Sequence, residues 1–341
     1  MKKSSLALLC TALFGLSALA PVHAEELVVG LFGGSFADDS KTCHIEPFEQ
    51  KTGAKVLTKL GNSAQFAAGV RATRGQSDFD VLYMDNSLAT QLKNEGLLET
   101  IAVDQLANAA DVAPMALDKD NQYVAFMTGA TVIVYDTTRM QNPPQAWADL
   151  LKPEYQKKLA IGDISGTSGM QFLLALNRLE GGTLDNMDPG FEAIKPLAKA
   201  SAQLYTQADQ IIPMFERKEI DLAVWYPDRA GSAIDAGLPL AVVYPKEGAV
   251  GILPVVVIPK GAKHPELALK YIDELLSREG QACFAEKKYA GPVNTQVKLS
   301  DKAAAIVPVG ENFERLWLPD PTEVARHLPS WMKRWQREVA R

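Results

Sequence analysis

The sequence predicts an α/β fold divided into two lobes, on three observations. Strands and helices alternate over residues 26–94, the pattern of a parallel sheet covered by helices. Strand–helix alternation restarts at Leu159 and again at Asp221. Between these blocks, two long apolar β-rich runs, 123–135 and 253–258, read as strands that leave one lobe for the other and return. A chain of 341 residues, 47% of them hydrophobic, suits roughly two domains with a large core.

Residues 26–32 are a first strand with little polar interruption, as in a parallel sheet. Gly33, Gly34 and Ser35 follow as a tight loop. Residues 41–51 carry Ile45 and Phe48 among charges, a helix stopped by Gly53. The second strand is 55–60, and Asn62 or Ser63 caps a helix over 64–74. The third strand, 79–84, ends in Asp85, Asn86 and Ser87, ahead of a helix over 88–94 stopped by Gly96. Parallel sheets hold ligands outside the carboxyl ends of their strands, where these two loops lie.

The 123–135 run breaks at Thr128-Gly129, and Pro143-Pro144 opens a short helix. Residues 159–161 form a buried strand, 165–169 a turn. Met170, Phe172, Leu173, Leu174 and Leu176 then mark an apolar helix ended by Gly181-Gly182. Free amides at that helix start, with the hydroxyls of Ser165, Thr167 and Ser168 around Gly166, form a socket for a carboxylate, phosphonate or sulfate. Ser and Thr are also ordinary helix caps, a second reading of the same residues. Residues 211–217 are helical. Strand 221–226 leads into Pro227, Asp228 and Arg229, and 240–244 and 253–258 are strands. Pro265 starts a helix with Ala268, Tyr271, Ile272, Leu275 and Leu276 at helical spacing. A helix over 279–286 carries Cys283, and Trp331 and Trp335 in 328–339 read as helix packing.

The first residues form an export signal. Met1-Lys-Lys-Ser-Ser5 is basic, 6–20 is apolar, and Val22-His23-Ala24 fits a cleavage site after Ala24. That run is short for a membrane span, and Cys10 lies too early in it for a lipid anchor. Without Lys2 and Lys3, Lys+Arg falls from 35 to 33 against 41 Asp+Glu, a net charge of −8. No basic run appears, which argues against nucleic acid. His44, His264 and His327 lie in no metal spacing, so no metal site is expected. Gly166-Thr-Ser-Gly169 lacks the spacing of a nucleophile elbow, no nucleophile–base pair is recognisable, and no enzyme is expected. Cys43 and Cys283 remain after export, and an oxidising compartment permits a disulfide. Sequence separation alone leaves a bridge and two buried thiols both open; the bridge is the expectation carried forward.

Several segments, in this order, carry a resemblance. They are Phe48-Glu-Gln-Lys-Thr-Gly53, Asp78-Phe-Asp-Val81, Asn94-Glu-Gly-Leu-Leu98 and Trp147-Ala-Asp-Leu-Leu-Lys-Pro-Glu-Tyr155. Val224-Trp225, Pro245-Lys-Glu-Gly248, Ile258-Pro-Lys-Gly-Ala262 and Lys287-Lys-Tyr-Ala-Gly-Pro-Val-Asn294 follow, and the Trp-containing tail completes a likeness over nearly the whole mature chain. The chain resembles the extracellular solute-binding proteins of family 1, in the polyamine-type branch serving ABC importers. The resemblance implies a two-lobe, type II-like periplasmic binding protein fold with hinge-crossing strands and a central ligand cleft. It implies a small-molecule ligand, an inner-membrane permease as partner, a monomer and no cofactor. Lobe I would be 25–126 plus 255–298, and lobe II 127–254 plus 299–341.

The departures shape the ligand expectation. Trp225 and Tyr289 match aromatic walls of polyamine binders, but Ile252 and Pro254 stand where an aromatic and an acid are expected. Gly33-Gly34 replaces an aromatic loop, and Ser165-Gly-Thr-Ser168 replaces an acidic stretch. A di-cation would lack counter-charges, and burying unpaired charge is costly. The expected site is therefore an anion socket at 165–168 with the Arg229 fork beside it. Asp85 or Asp228 would meet an amino group, and Phe36, Trp225 and Tyr226 would stack on apolar portions. Gly34, Ser35, Asn86, Ser87, Thr128 and Tyr289 complete the candidate set. The ligand expected is a small carboxylate-bearing or zwitterionic, amino-acid-like solute, with putrescine or spermidine as the alternative. A ferric-ion binder would want a Tyr-Tyr pair, which the sequence lacks.

Overall fold

A computed structural model of the protein describes residues 24–340. Residues 1–23 of the expected leader, Cys10 among them, lie outside the described residues. The first sheet starts with β1 (Glu26–Leu31), which lies parallel to both β2 (Lys55–Leu60) and β3 (Val81–Asp85). β4 (Val124–Ala125) closes its far edge. The chain then crosses into a second sheet with β5 (Gly129–Asp136), β6 (Leu159–Gly162), β7 (Gln203–Tyr205), β8 (Leu222–Trp225), β9 (Leu240–Val243) and β10 (Val250–Ile252). It returns as β11 (Pro254–Val257), inserted antiparallel between β3 and β4. The orders are β2-β1-β3-β11-β4 and β10-β5-β8-β6-β7, with β9 paired to β5.

Both crossings fall where the apolar runs break. The 123–135 run splits at 126–128, as expected, and gives one strand to each sheet. The return differs from the single strand expected over 253–258. Val250 pairs with Thr131 and extends the second sheet, so residues read as loop become β10. The switch comes at Leu253, between Ile252 and Pro254. Pro254 lacks an amide donor and is tolerated because it opens its strand; its carbonyl still accepts from Phe126 N at 3.3 Å.

Local signals explain most helices. Asn62 and Gln65 form a reciprocal capping box at Ser63–Thr73. The helix expected over 41–51 is longer: a helical run spans Ser35–Ser40, a π turn at Lys41–Ile45, and Glu46–Thr52. Helix Asp188–Ala200, with Pro196 inside it, is an element the sequence did not announce. The tail helix Pro321–Glu338 starts earlier than the pattern over 328–339 because Asp320 caps the amides of Thr322 and Glu323. No helix among the described residues is long and apolar enough to cross a membrane.

The core is layered. One cluster fills the first lobe around Leu27, Val29, Leu82, Tyr83 and Val256. The second sheet has a cluster on each face, because successive strand residues point to opposite sides. Val224 joins Trp147, Phe172 and Trp335 on one face; Trp225 joins Phe215, Met214 and Leu240 on the other. Cys43, in the π turn, is bridged to Cys283 of helix Arg278–Lys288, with Cα atoms 5.5 Å apart across 240 positions. The expected disulfide is present.

Candidate functional site

Parallel strands aim their carboxyl ends, and the helix starts that follow, toward one region. β3 leads into helix Asn86–Asn94, β6 into helix Thr167–Leu179, and β8 into helix Pro227–Asp235. A cavity of about 520 Å³ opens there. Asp85, Asn86 and Ser87 line it from the first lobe, Ser165, Gly166 and Thr167 from the second, with Tyr226 and the crossing residue Ile252 between. Asp85 is the one charged side chain in that lining, and it makes no salt bridge among the described residues.

The helix start at 165–168 is tightly built. Gly166 is its N-cap and carries no side-chain cap. A Cβ on Gly169 would come within 2.1 Å of the Asp163 carbonyl, so the first turn rests directly on the strand end. Asp163 organises the loop. Its Oδ1 accepts from Ser165 N at 2.9 Å and Ser165 Oγ at 2.6 Å, and its buried Oδ2 accepts from Trp335 Nε1 at 2.7 Å. Ser168 is 1% exposed; its amide donates to Tyr226 Oη at 2.8 Å and its hydroxyl bonds Tyr205 Oη at 2.7 Å. Two of the three hydroxyls of the expected socket are therefore engaged inside the protein. Thr167 is exposed, and its amide has no acceptor among the described residues. Burial pushes the Tyr226 phenol up, with Ser168 and Thr167 opposing.

Several expected site residues lie elsewhere. Trp225 is fully buried, with Nε1 donating to the Ala208 carbonyl at 3.1 Å; strand alternation turns it into the core. Phe36 packs edge-on against Phe32, Tyr83, Phe126 and Phe284, a first-lobe aromatic cluster. Tyr289 is 4% exposed and donates to Asp235, its ring filling the space a Cβ on Gly231 would need. Thr128 is buried at the crossing, where its backbone bonds Gly291 in both directions, at 2.7 and 2.8 Å. Gly34 turns the chain at φ 68 before the first helix, and the Ser35 hydroxyl accepts from Lys288 Nζ at 2.9 Å. Arg229 stands outside the cavity, its guanidinium 3.2 Å from Asp209 and 3.9 Å from Asp228. Surrounding walls push the Asp228 carboxyl up from the ordinary range, opposed by Arg229 and Lys288, although 31% of its side chain still meets solvent.

Sequence reasoning missed the far wall of the cavity. Leu88 and Gln91 extend the first-lobe side, Met170 and Gln171 the second. The tail supplies Leu318, Pro321, Val324, Leu328 and Met332. Gln171 is fixed by Thr131 Oγ1 at 2.5 Å and the Gly251 carbonyl at 3.0 Å. The available signal was the double apolar pattern of the tail, read only as packing. Asp185, Glu323 and His327 cluster away from the cavity, and Arg326 neutralises them by pairing with Asp185 and Glu323.

A family model of bacterial extracellular solute-binding proteins matches residues 77–313. The spermidine/putrescine-binding periplasmic protein of Salmonella typhimurium is 29% identical over 242 residues, 68% of each chain. The gamma-aminobutyric acid-binding protein of Pseudomonas aeruginosa is 24% identical, covering 95% of this chain and 96% of its own. A crystal structure of an ABC transporter protein from Clostridium perfringens superposes with a TM-score of 0.81 at 25% identity, over 92% of this chain and 99% of that one. The Salmonella relative is named a periplasmic binding protein and the Pseudomonas relative a binding protein, names that suit two sheets flanking a cavity. By the match over most of its length, this chain belongs to the bacterial extracellular solute-binding proteins.

Proposed function

We propose that the protein is the periplasmic binding component of an ABC importer and captures a small zwitterionic, amino-acid-like solute. Export by the leader 1–24, action as a monomer and delivery to an inner-membrane permease belong to the same reading. So do two lobes, 25–126 plus 255–298 and 127–254 plus 299–341, closing on the ligand. The observation that carries it is one cavity shared by Asp85, a carboxylate with no salt bridge among the described residues, and the Thr167 amide, unengaged among the described residues, at the first turn of a 13-residue helix. The carboxylate attracts an ammonium group. The helix start favours an anion, through its dipole and its amide at Thr167. Of the anion socket expected at 165–168 with Arg229 beside it, this reading keeps the helix start alone, because Arg229 is ion-paired and outside the cavity lining.

A polyamine is the second reading, favoured by the named ligand of the 29% identical relative. It needs a second acid for the second ammonium, and Asp228, the nearest candidate in the sequence set, is outside the cavity lining. Calorimetric titration with 4-aminobutanoate, 2-aminoethylphosphonate, putrescine and spermidine separates the two. Binding of the diamines with no binding of either zwitterion replaces the first reading by the second.

A further inference from the structure

The cavity is larger than a small amino acid requires. A seven-atom amino acid, its atoms covalently joined, needs less than the roughly 200 Å³ that seven waters take in the liquid at about 30 Å³ each. The cavity holds about 520 Å³. Its charged and hydroxyl groups gather at the helix starts, Gln91 is bonded to Arg71 and Gln171 to Thr131 and the Gly251 carbonyl, and the tail side of the wall is apolar: Leu318, Leu328 and Met332, with Leu88 and Met170 beside it. Met332 is 37% exposed, one of two large apolar side chains so exposed among the described residues.

That wall is held in place. The tail helix buries Val324, Trp331 and Trp335 in the second-lobe core, and Trp335 is bonded to Asp163. Ala325, Leu328 and Met332 form a second stripe at helical spacing, and all three line the cavity. The tail helix already packs against helix Asn86–Asn94 of the other lobe. The apolar space beside that contact is therefore not simply an unmade lobe interface.

We propose that this wall is a subsite for an apolar body of the solute. The ligand class is an amino-acid-like zwitterion bearing an aromatic or branched aliphatic group, with that group against the tail helix. The assignment of the charged end rests on the proposed function; the apolar subsite stands on the wall itself. Ligand pockets of this size are mostly apolar with a few convergent polar groups, which this cavity reproduces.

The test is calorimetry on matched pairs with the purified mature protein: 4-aminobutanoate against 4-amino-3-phenylbutanoate, and propylamine against 3-phenylpropylamine. Burying a ring-sized apolar group is worth about ten- to hundredfold in affinity. The phenyl member is expected to bind at least about tenfold tighter. Ala325→Trp, which fills the subsite, is expected to abolish that gain. Met332→Asn, at a half-exposed position, serves as the second variant should Ala325→Trp not fold, and is expected to reduce the same gain. Equal affinities within the pairs, or a gain that survives both substitutions, overturns the subsite. A gain seen only in the amine pair keeps the subsite and removes the zwitterion reading. Failure of all four probes to bind overturns both.

Discussion

The indole Nε1 of Trp335 donates to Asp163 Oδ2 at 2.7 Å, while Asp163 Oδ1 holds the Ser165 amide and hydroxyl. One buried carboxylate therefore ties the C-terminal helix to the loop that opens on the cavity. Trp335→Phe keeps an aromatic ring but leaves a void in the core and leaves Oδ2 without its partner, so both losses add. An orphaned buried acceptor costs about 1–3 kcal/mol. Thermal melts should show a lower Tm for Trp335→Phe, and binding of whichever solute the wild type takes should weaken with it. An unchanged Tm would mean that water replaces the indole at no cost.

Asp85 is exposed, and Asp85→Asn should leave stability within about 0.5 kcal/mol. A hydrogen bond to a charged group is worth about 1.5–3 kcal/mol, so amine-bearing ligands should bind at least about tenfold more weakly. Arg229→Ala provides the contrast. Its exposed ion pair with Asp209 is worth about 0–1 kcal/mol, and its loss should barely move affinity. A large loss in Arg229→Ala with none in Asp85→Asn would return the anion site to the arginine.

Reducing or removing the Cys43–Cys283 bridge should cost about 2–4 kcal/mol, because it closes a loop across 240 positions of the unfolded chain. Urea unfolding of the Cys43→Ser, Cys283→Ser double variant measures it. The wild type without the leader that carries Cys10 should show no reactive thiol when unfolded under non-reducing conditions.

His44 is fully buried beside this bridge, neither ring nitrogen has a partner among the described residues, and burial lowers its pKa from 6.5 to about 3. Between those values the unfolded chain binds the proton and the native one does not. Stability should therefore fall as pH drops below about 6.5, by up to about 1.4 kcal/mol per pH unit, and level off near 3. Carboxylates add their own dependence, so the measure is the difference between wild type and His44→Phe. That difference should shrink or reverse in favour of the variant as pH is lowered from 7 to 4; a constant difference refutes the assignment.

Much of the fold was legible because it rests on local signals. Strand 55–60 matches residue for residue, the Asn62 cap is where its side chain demands, and the break expected at 128–129 falls at 126–128, where the chain crosses between sheets. The strand-end loops followed from the fold. What failed depended on which way a side chain turns. Trp225 was read as a wall, but its neighbour Val224 takes the other face of β8 and sends Trp225 into the core. Arg229 was read as an anion fork, but a partner 20 positions away, Asp209, engages it. The hydroxyls of Ser165 and Ser168 meet Asp163 and Tyr205, contacts that no spacing rule foresees. The tail wall was hidden for the same reason: its apolar residues serve two faces at once.

The loops that would grip a solute's charged end stand at strand ends, while the surface opposite them is one helix, Pro321–Glu338. Grip and fit thus rest on separate elements of such a chain. Exchanging one helix, with its Trp335 anchor kept, would retune what is admitted without disturbing either sheet.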